Sequence, residues 1–220
     1  MHINEKIGPQ ELREILLFVA QAVTQEESTL NAFDSAIGDG DHGITMRIGF
    51  QAVAARLSSL PGDAAIDTIL GESGRAFMQV TGGAIGVILG KMLTAGTVAL
   101  KGCGDLGPTE LAAWLNAMES AVVRSGKAKP GDKTILDAIH AAAESASQSL
   151  DSGEPLEEMV ASAAEAAEGA ARNTANMVCR VGRASRLGER SLGHPDPGAV
   201  SFAIILGAIS RWLRQHARGY

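Results

Sequence analysis

The stretch ELREILLFVAQAV, residues 11–23, sets Leu12, Ile15, Leu16, Val19 and Val23 at helical intervals, so that they share one face of an α-helix. A helix with one apolar face cannot stand alone in water and must lay that face against others of its kind. The same spacing returns at Leu111, Trp114, Leu115, Met118 and Val122, and again at Ile135, Leu136, Ile139 and Ala143. Further helices are expected over about 44–58, 63–79, 84–100, 155–178 and 199–215, and no two neighbouring runs alternate apolar with polar as a hairpin would. The expected fold class is all-α, with about seven to nine amphipathic helices. GPQE at 8–11 and GPTE at 107–110 each place Pro in or beside a first turn with Glu two residues on, which suits a helix start.

At 220 residues the chain can bury roughly 70% of its unfolded surface around a single core, so one domain over 1–220 is expected. Apolar residues make up 45% and aromatic residues only 4%, which leaves Ala, Leu, Ile, Val and Met to fill that core. The net charge of −6, with Lys and Arg scattered, argues against nucleic acid, which needs a concentrated basic face. Cys103 and Cys179 form no C-x-x-C pair and are too few for a disulfide framework, so a reducing, cytoplasmic setting is expected. The N-terminus lacks the basic and apolar regions of a signal peptide. The most apolar stretch, Thr81–Leu100, is broken by Lys91 and five glycines, so no membrane span is expected.

Four Gly-rich, charged stretches break the helical pattern: DSAIGDGDHGITM (34–46), TGGAIG (81–86), GKAKPGDKT (126–134) and RVGRASRLGERSLGHPDPGA (180–199). In the first, Asp34, Asp39 and Asp41 converge if Asp34 ends a helix and Gly38, Gly40 and Gly43 turn the chain back. Converging carboxylates repel unless a cation intervenes, which points to Mg²⁺ or Ca²⁺ held through oxygen. DGDHGITMRIGF starts like an EF-hand loop but lacks the ligand at its fifth position and the bidentate Glu at its twelfth. Three carboxylates leave positions for water or phosphate oxygens, in the manner of Mg²⁺. The plain alternative is a solvated Asp/Gly turn. TGGAIG can likewise either allow close helix contact or offer free amides to a phosphate, and it is not a Walker loop. Arg180, Arg183, Arg186 and Arg190 form either a helix surface stripe or an ordered loop that meets phosphate, since GHPDPGA cannot continue a helix; His194 reads as a capping or loop residue.

In their order and separations, IGDGDHG, GGA-x-G, GKAKPGDKT and GRASRLGERSLGHPDPGA resemble the nucleotide-binding L subunits of dihydroxyacetone kinase, over about residues 10–215. That resemblance implies a barrel of about eight antiparallel helices with the nucleotide held by loops at one end. It implies two Mg²⁺ on Asp34, Asp39 and Asp41, and ADP or ATP contacted by His42, Gly43, Ile44, Thr45, Gly83, Ala84 and Ile85. Gly126 and Ile135 would lie near the base, and Arg183, Asp196, Pro197 and Gly198 would close the site. Ile85 departs from the pattern, because the family usually has a serine there.

The activity so implied is Mg-dependent transfer of a γ-phosphoryl group to a ketose, dihydroxyacetone by default, held on a separate K subunit. Arg183 would stabilise charge, and no base is expected in this chain. ADP would be rephosphorylated in place by a phosphohistidine protein of the phosphotransferase system; the alternative is an ATP-dependent triose or tetrose kinase. A reading of another class is a non-catalytic nucleotide-binding regulatory module, and a calcium-binding helical protein is disfavoured by the missing Glu. A homodimer is compatible with the sequence.

Overall fold

The computed structural model describes residues 6–126 and 128–217. Among them are nine α-helices: α1 (Pro9–Gln25), α2 (Glu27–Ile37), α3 (His42–Ser59), α4 (Ile66–Val80), α5 (Gly83–Ala99), α6 (Pro108–Gly126), α7 (Ile135–Asp151), α8 (Leu156–Asn173) and α9 (Pro197–Ala217). A 3₁₀ segment, Arg183–Ser191, lies between α8 and α9. No strand occurs among the described residues, so the all-α expectation holds. Each stretch expected to be helical contains a helix, although the one expected over 155–178 ends at Asn173 and the one over 63–79 begins at Ile66. The spacing argument passed over α2, which buries only Leu30 and Ile37 and so shows no long apolar stripe.

Local chemistry sets the helix starts. In α1, Pro9 opens the helix and Glu11 Oε2 accepts the N–H of Gly8 at 2.7 Å. In α6, Glu110 Oε2 accepts the N–H of Gly107 at 3.0 Å in the same way. The two starts are then tied together, because Ile7 and Leu106 exchange reciprocal N–H···O bonds of 2.8 Å.

The helices form a closed circuit. α1 packs on α3, each helix from α3 onward packs on its successor as far as α9, and α9 returns to α1. The inner faces bury Val19, Met46, Phe50, Leu70, Phe77, Leu136, Met159 and Phe202 at 2% exposure or less. Phe50 and Phe77 meet edge to face at 5.5 Å. Small residues let the helices approach closely: a Cβ on Gly74 of α4 would stand 2.6 Å from the Gly90 carbonyl of α5. No helix among the described residues is long and apolar enough to cross a membrane.

Candidate functional site

A cleft of about 460 Å³ is walled by four segments that interrupt the helical pattern: the α2–α3 connection, the α4–α5 connection, the turn before α7, and the 3₁₀ segment with the start of α9. Asp34 lies inside α2, one turn before its end at Ile37, and not at the helix end that the sequence argument required. The chain reverses at Gly38, packed so tightly that a Cβ there would lie 2.1 Å from Asp34 Oδ1, and at Gly40, with φ +79°. Asp34 Oδ2 gathers the turn by accepting the N–H groups of Gly40 at 2.8 Å, Asp41 at 3.0 Å and His42 at 3.3 Å. One oxygen each from Asp34, Asp39 and Asp41 then falls within 4.8 Å of the others. Asp39 and Asp41 are exposed while Asp34 is half-buried. An all-oxygen, three-carboxylate set with an open side suits a hard divalent cation that keeps water or phosphate oxygens in its remaining positions, so these residues fit Mg²⁺.

The residues after the aspartates divide. His42 is buried, and burial lowers its pKa to about 4 against the opposing pull of Asp34, so the ring is neutral at pH 7. Its Nε2 meets Ser201 Oγ at 3.2 Å, and that hydroxyl donates to Gly198 O at 2.9 Å, which leaves Nε2 as the donor to Ser201. His42 therefore joins the aspartate turn to α9 while still lining the cleft. Thr45 also lines it. Gly43 and Ile44 do not: their N–H groups donate to Asn31 Oδ1 at 2.8 and 3.2 Å, and the Ile44 side chain is exposed elsewhere. Gly43 is thus a packing residue, since a Cβ there would sit 2.1 Å from the Glu27 carbonyl oxygen, and it takes no part in the bend expected of it.

Across the cleft stands the start of α5. Gly83 holds φ +73°, no side chain caps the helix, and Gly83, Ala84 and Ile85 all face the cavity. An uncapped helix start leaves amides free for an anion. Ile85, in the unusual position, is half-buried and leans its side chain on the core, so its backbone stays in place without a hydroxyl.

Ile135, Asp196, Pro197 and Gly198 form the far wall. Asp196 Oδ2 accepts the N–H of Ala199 at 2.8 Å, and its own N–H donates to Thr174 Oγ1 at 2.8 Å. Burial raises the Asp196 pKa to about 7, opposed by the Ala199 hydrogen bond. Arg183 reaches over the mouth and its Nη1 donates to Asp39 Oδ2. Gly126 closes α6, and its surroundings lie outside the described residues. The cleft also contains Lys133, a residue that spacing did not single out. Burial lowers the Lys133 pKa, while Cys179 and Asp196 pull it the other way.

An all-helical chain whose loops bring three carboxylates, an uncapped helix start and an arginine to one cleft carries the donor set that a metal ion and an anion would need there. The chain belongs to the DAK2 domain family, which matches residues 36–211. It is 36% identical over 181 residues to the ADP-binding subunit DhaL of the PEP-dependent dihydroxyacetone kinase of Escherichia coli (strain K12), covering 82% of this chain and 86% of that one. It is 37% identical over 202 residues to D-erythrulose kinase of Mycolicibacterium smegmatis, covering 91% of this chain and 35% of the kinase. The crystal structure of the dihydroxyacetone kinase from C. freundii in complex with AMP-PNP and Mg²⁺ superposes with a TM-score of 0.70 at 25% identity, over 96% of this chain and 36% of that one. The chain thus spans about a third of these two longer kinases but nearly the full length of the DhaL subunit.

Proposed function

We propose that this chain is the nucleotide-binding, phosphoryl-transferring subunit of a dihydroxyacetone kinase, acting on a ketose presented by a separate K subunit. The observation that carries the reading is the convergence of Asp34, Asp39 and Asp41 at the edge of a cleft large enough for a nucleotide. Magnesium, as two ions in this reading, supplies charge neutralisation on the β- and γ-phosphate oxygens when bound. The exposed carboxylates of Asp39 and Asp41 would hold it, and Asp34 would both ligate and fix the turn. The amides of Gly83, Ala84 and Ile85 would orient the phosphates, with Ile135, Asp196, Pro197 and Gly198 closing around the nucleotide. Arg183 would stabilise the charge that develops as the bond from the γ-phosphorus to the bridging oxygen breaks and the bond to the ketose hydroxyl forms.

No base is assigned to this chain: burial lowers the His42 pKa to about 4, which leaves its ring a weak base, and the hydroxyl proton is left to the K subunit. The single domain, the cytoplasmic setting and rephosphorylation of bound ADP by a phosphohistidine protein belong to the same proposal. A second reading, exchange of ATP on a triose or tetrose kinase, is favoured by the similarity to D-erythrulose kinase, at 37% identity against 36% for DhaL.

The test is the purified chain mixed with its K partner. Donor consumption that requires a ketose supports kinase chemistry, whereas nucleotide binding without ketose-dependent turnover would leave only a binding module. Mass spectrometry of acid-released small molecules separates the branches: stoichiometric ADP is expected for in-place rephosphorylation, and little or none for ATP exchange.

A further inference from the structure

Lys133 combines two unfavourable features. It is buried to 0% exposure, and its backbone holds φ +60°, the left-handed region that L side chains avoid. It is the one non-glycine among the described residues in that conformation. Glycine would relieve the backbone and an aliphatic residue would relieve the buried ammonium, so what retains lysine must be sought in its bonds. Nζ donates to Met177 O at 3.1 Å and to Ser191 O at 2.5 Å.

Those two carbonyls stand at either end of the segment that carries Arg183. Other bonds close the same neck: the Cys179 N–H donates to Ser191 Oγ at 2.9 Å, Ser191 Oγ to Gly188 O at 2.7 Å, and the Arg180 N–H to Asp132 O at 3.2 Å. Within the loop the backbone is 3₁₀, kinked at Gly188, and such short turns have little stiffness of their own. A loop of this kind stands where its neck puts it.

We propose that Lys133 is the positioning residue for Arg183: its ammonium staples residues 177 and 191 together and thereby fixes where the guanidinium stands over the aspartate cluster. The proposal rests on the role assigned to Arg183 under the proposed function. It gives the buried lysine a function in the reaction that is exerted through Arg183. Arg183 at the tip already meets Asp39, so a displaced neck carries the guanidinium off the aspartates.

Hydrogen exchange on the full chain, free of nucleotide and magnesium, is the first measurement. Lys133→Met is expected to speed exchange of amides 178–192 by about tenfold and to leave those of α1 to α9 unchanged. Lys133→Gly is expected to behave the same, because the ammonium and not the backbone conformation does the stapling. Turnover with the K partner is the second measurement. Lys133→Met is expected to lower kcat by about tenfold or more with KM for the donor within about threefold, and Arg183→Ala added to it should cost far less than in the wild type. If Lys133→Met does not fold, Ser191→Ala loosens the same neck and carries the same expectations. Unchanged exchange over 178–192, or an Arg183→Ala effect of equal size in both backgrounds, overturns the proposal. Loosened exchange with Arg183→Ala silent in the wild type overturns the role of Arg183 itself.

Discussion

Asp34 differs from its two partners in what it does before any ion arrives. It accepts three backbone N–H groups, whereas Asp39 and Asp41 are exposed and Asp39 meets the Arg183 guanidinium. Asp34→Ala should therefore destabilise the magnesium-free chain by about 2 kcal/mol in urea unfolding, while Asp41→Ala stays within about 0.5 kcal/mol. Asp39→Asn and Asp41→Asn should each abolish magnesium-dependent nucleotide binding in calorimetry with the helical content intact. Retained binding in both would remove the aspartates from the site. The three acids were legible in the sequence because they fall within eight residues among glycines that permit a reversal. The actual bend was not, since Gly43 was read as part of it and instead packs against Glu27. Lys133 was illegible for a different reason: its partners lie 44 and 58 residues away, beyond any local pattern.

At the scale of elements, close approach decides how the site is carried. Gly43 lets α3 lie against α2, and Gly74 lets α4 lie against α5, in both cases with a backbone carbonyl where a Cβ would go. Gly43→Ala and Gly74→Ala should each cost about 1–3 kcal/mol by overpacking. Only Gly43→Ala should also weaken magnesium binding, because it pushes Asp34 of α2 away from the turn that precedes α3. A magnesium titration of both variants decides this, and equal weakening would show that the two contacts do not differ in their bearing on the site. α3 is fastened to α4 on the outside by Glu72, which binds Arg56 at 2.6 Å and also pairs with Arg75. Hydrogen bonds from Arg75 and Arg56 hold the Glu72 pKa below its ordinary 4.5, against a smaller effect of burial. A lowered folded pKa means that the unfolded chain binds its proton first as the pH falls. The stabilisation is thus present above about 4.5 and lost below it. The Tm difference between wild type and Glu72→Gln should accordingly be largest near neutral pH and shrink through the range below 4.5. The helices themselves were legible wherever a long apolar stripe exists, as in Leu12 to Val23. α2 was not, because an outer helix with Leu30 and Ile37 as its buried apolar residues has too little stripe to count.

At the scale of the molecule, closure of the circuit brings α9 back to α1, and it brings the loops after α2, α4 and α8 to one cleft. Periodicity identifies faces but not their partners, so the circuit was not readable from spacing. Because each wall of the cleft belongs to a different helix pair, a ligand that bridges them binds the folded chain and not the unfolded one. Magnesium nucleotide, taken as one ligand at about a hundredfold its dissociation constant, should stabilise the chain by about 2.7 kcal/mol, or a Tm rise of roughly 5–11 °C for a chain of this size. The dependence on both components is the sharper part of the expectation. The aspartates reach a polyphosphate only through a cation, since three carboxylates within 4.8 Å of one another repel it otherwise. Nucleotide in the presence of a chelator should then shift the Tm little, and magnesium alone should shift it only by what it gains from relieving carboxylate repulsion. Equal shifts with and without chelator would mean that the phosphates rest on the start of α5 and on Arg183 alone, and that the carboxylate cluster has no part in holding them.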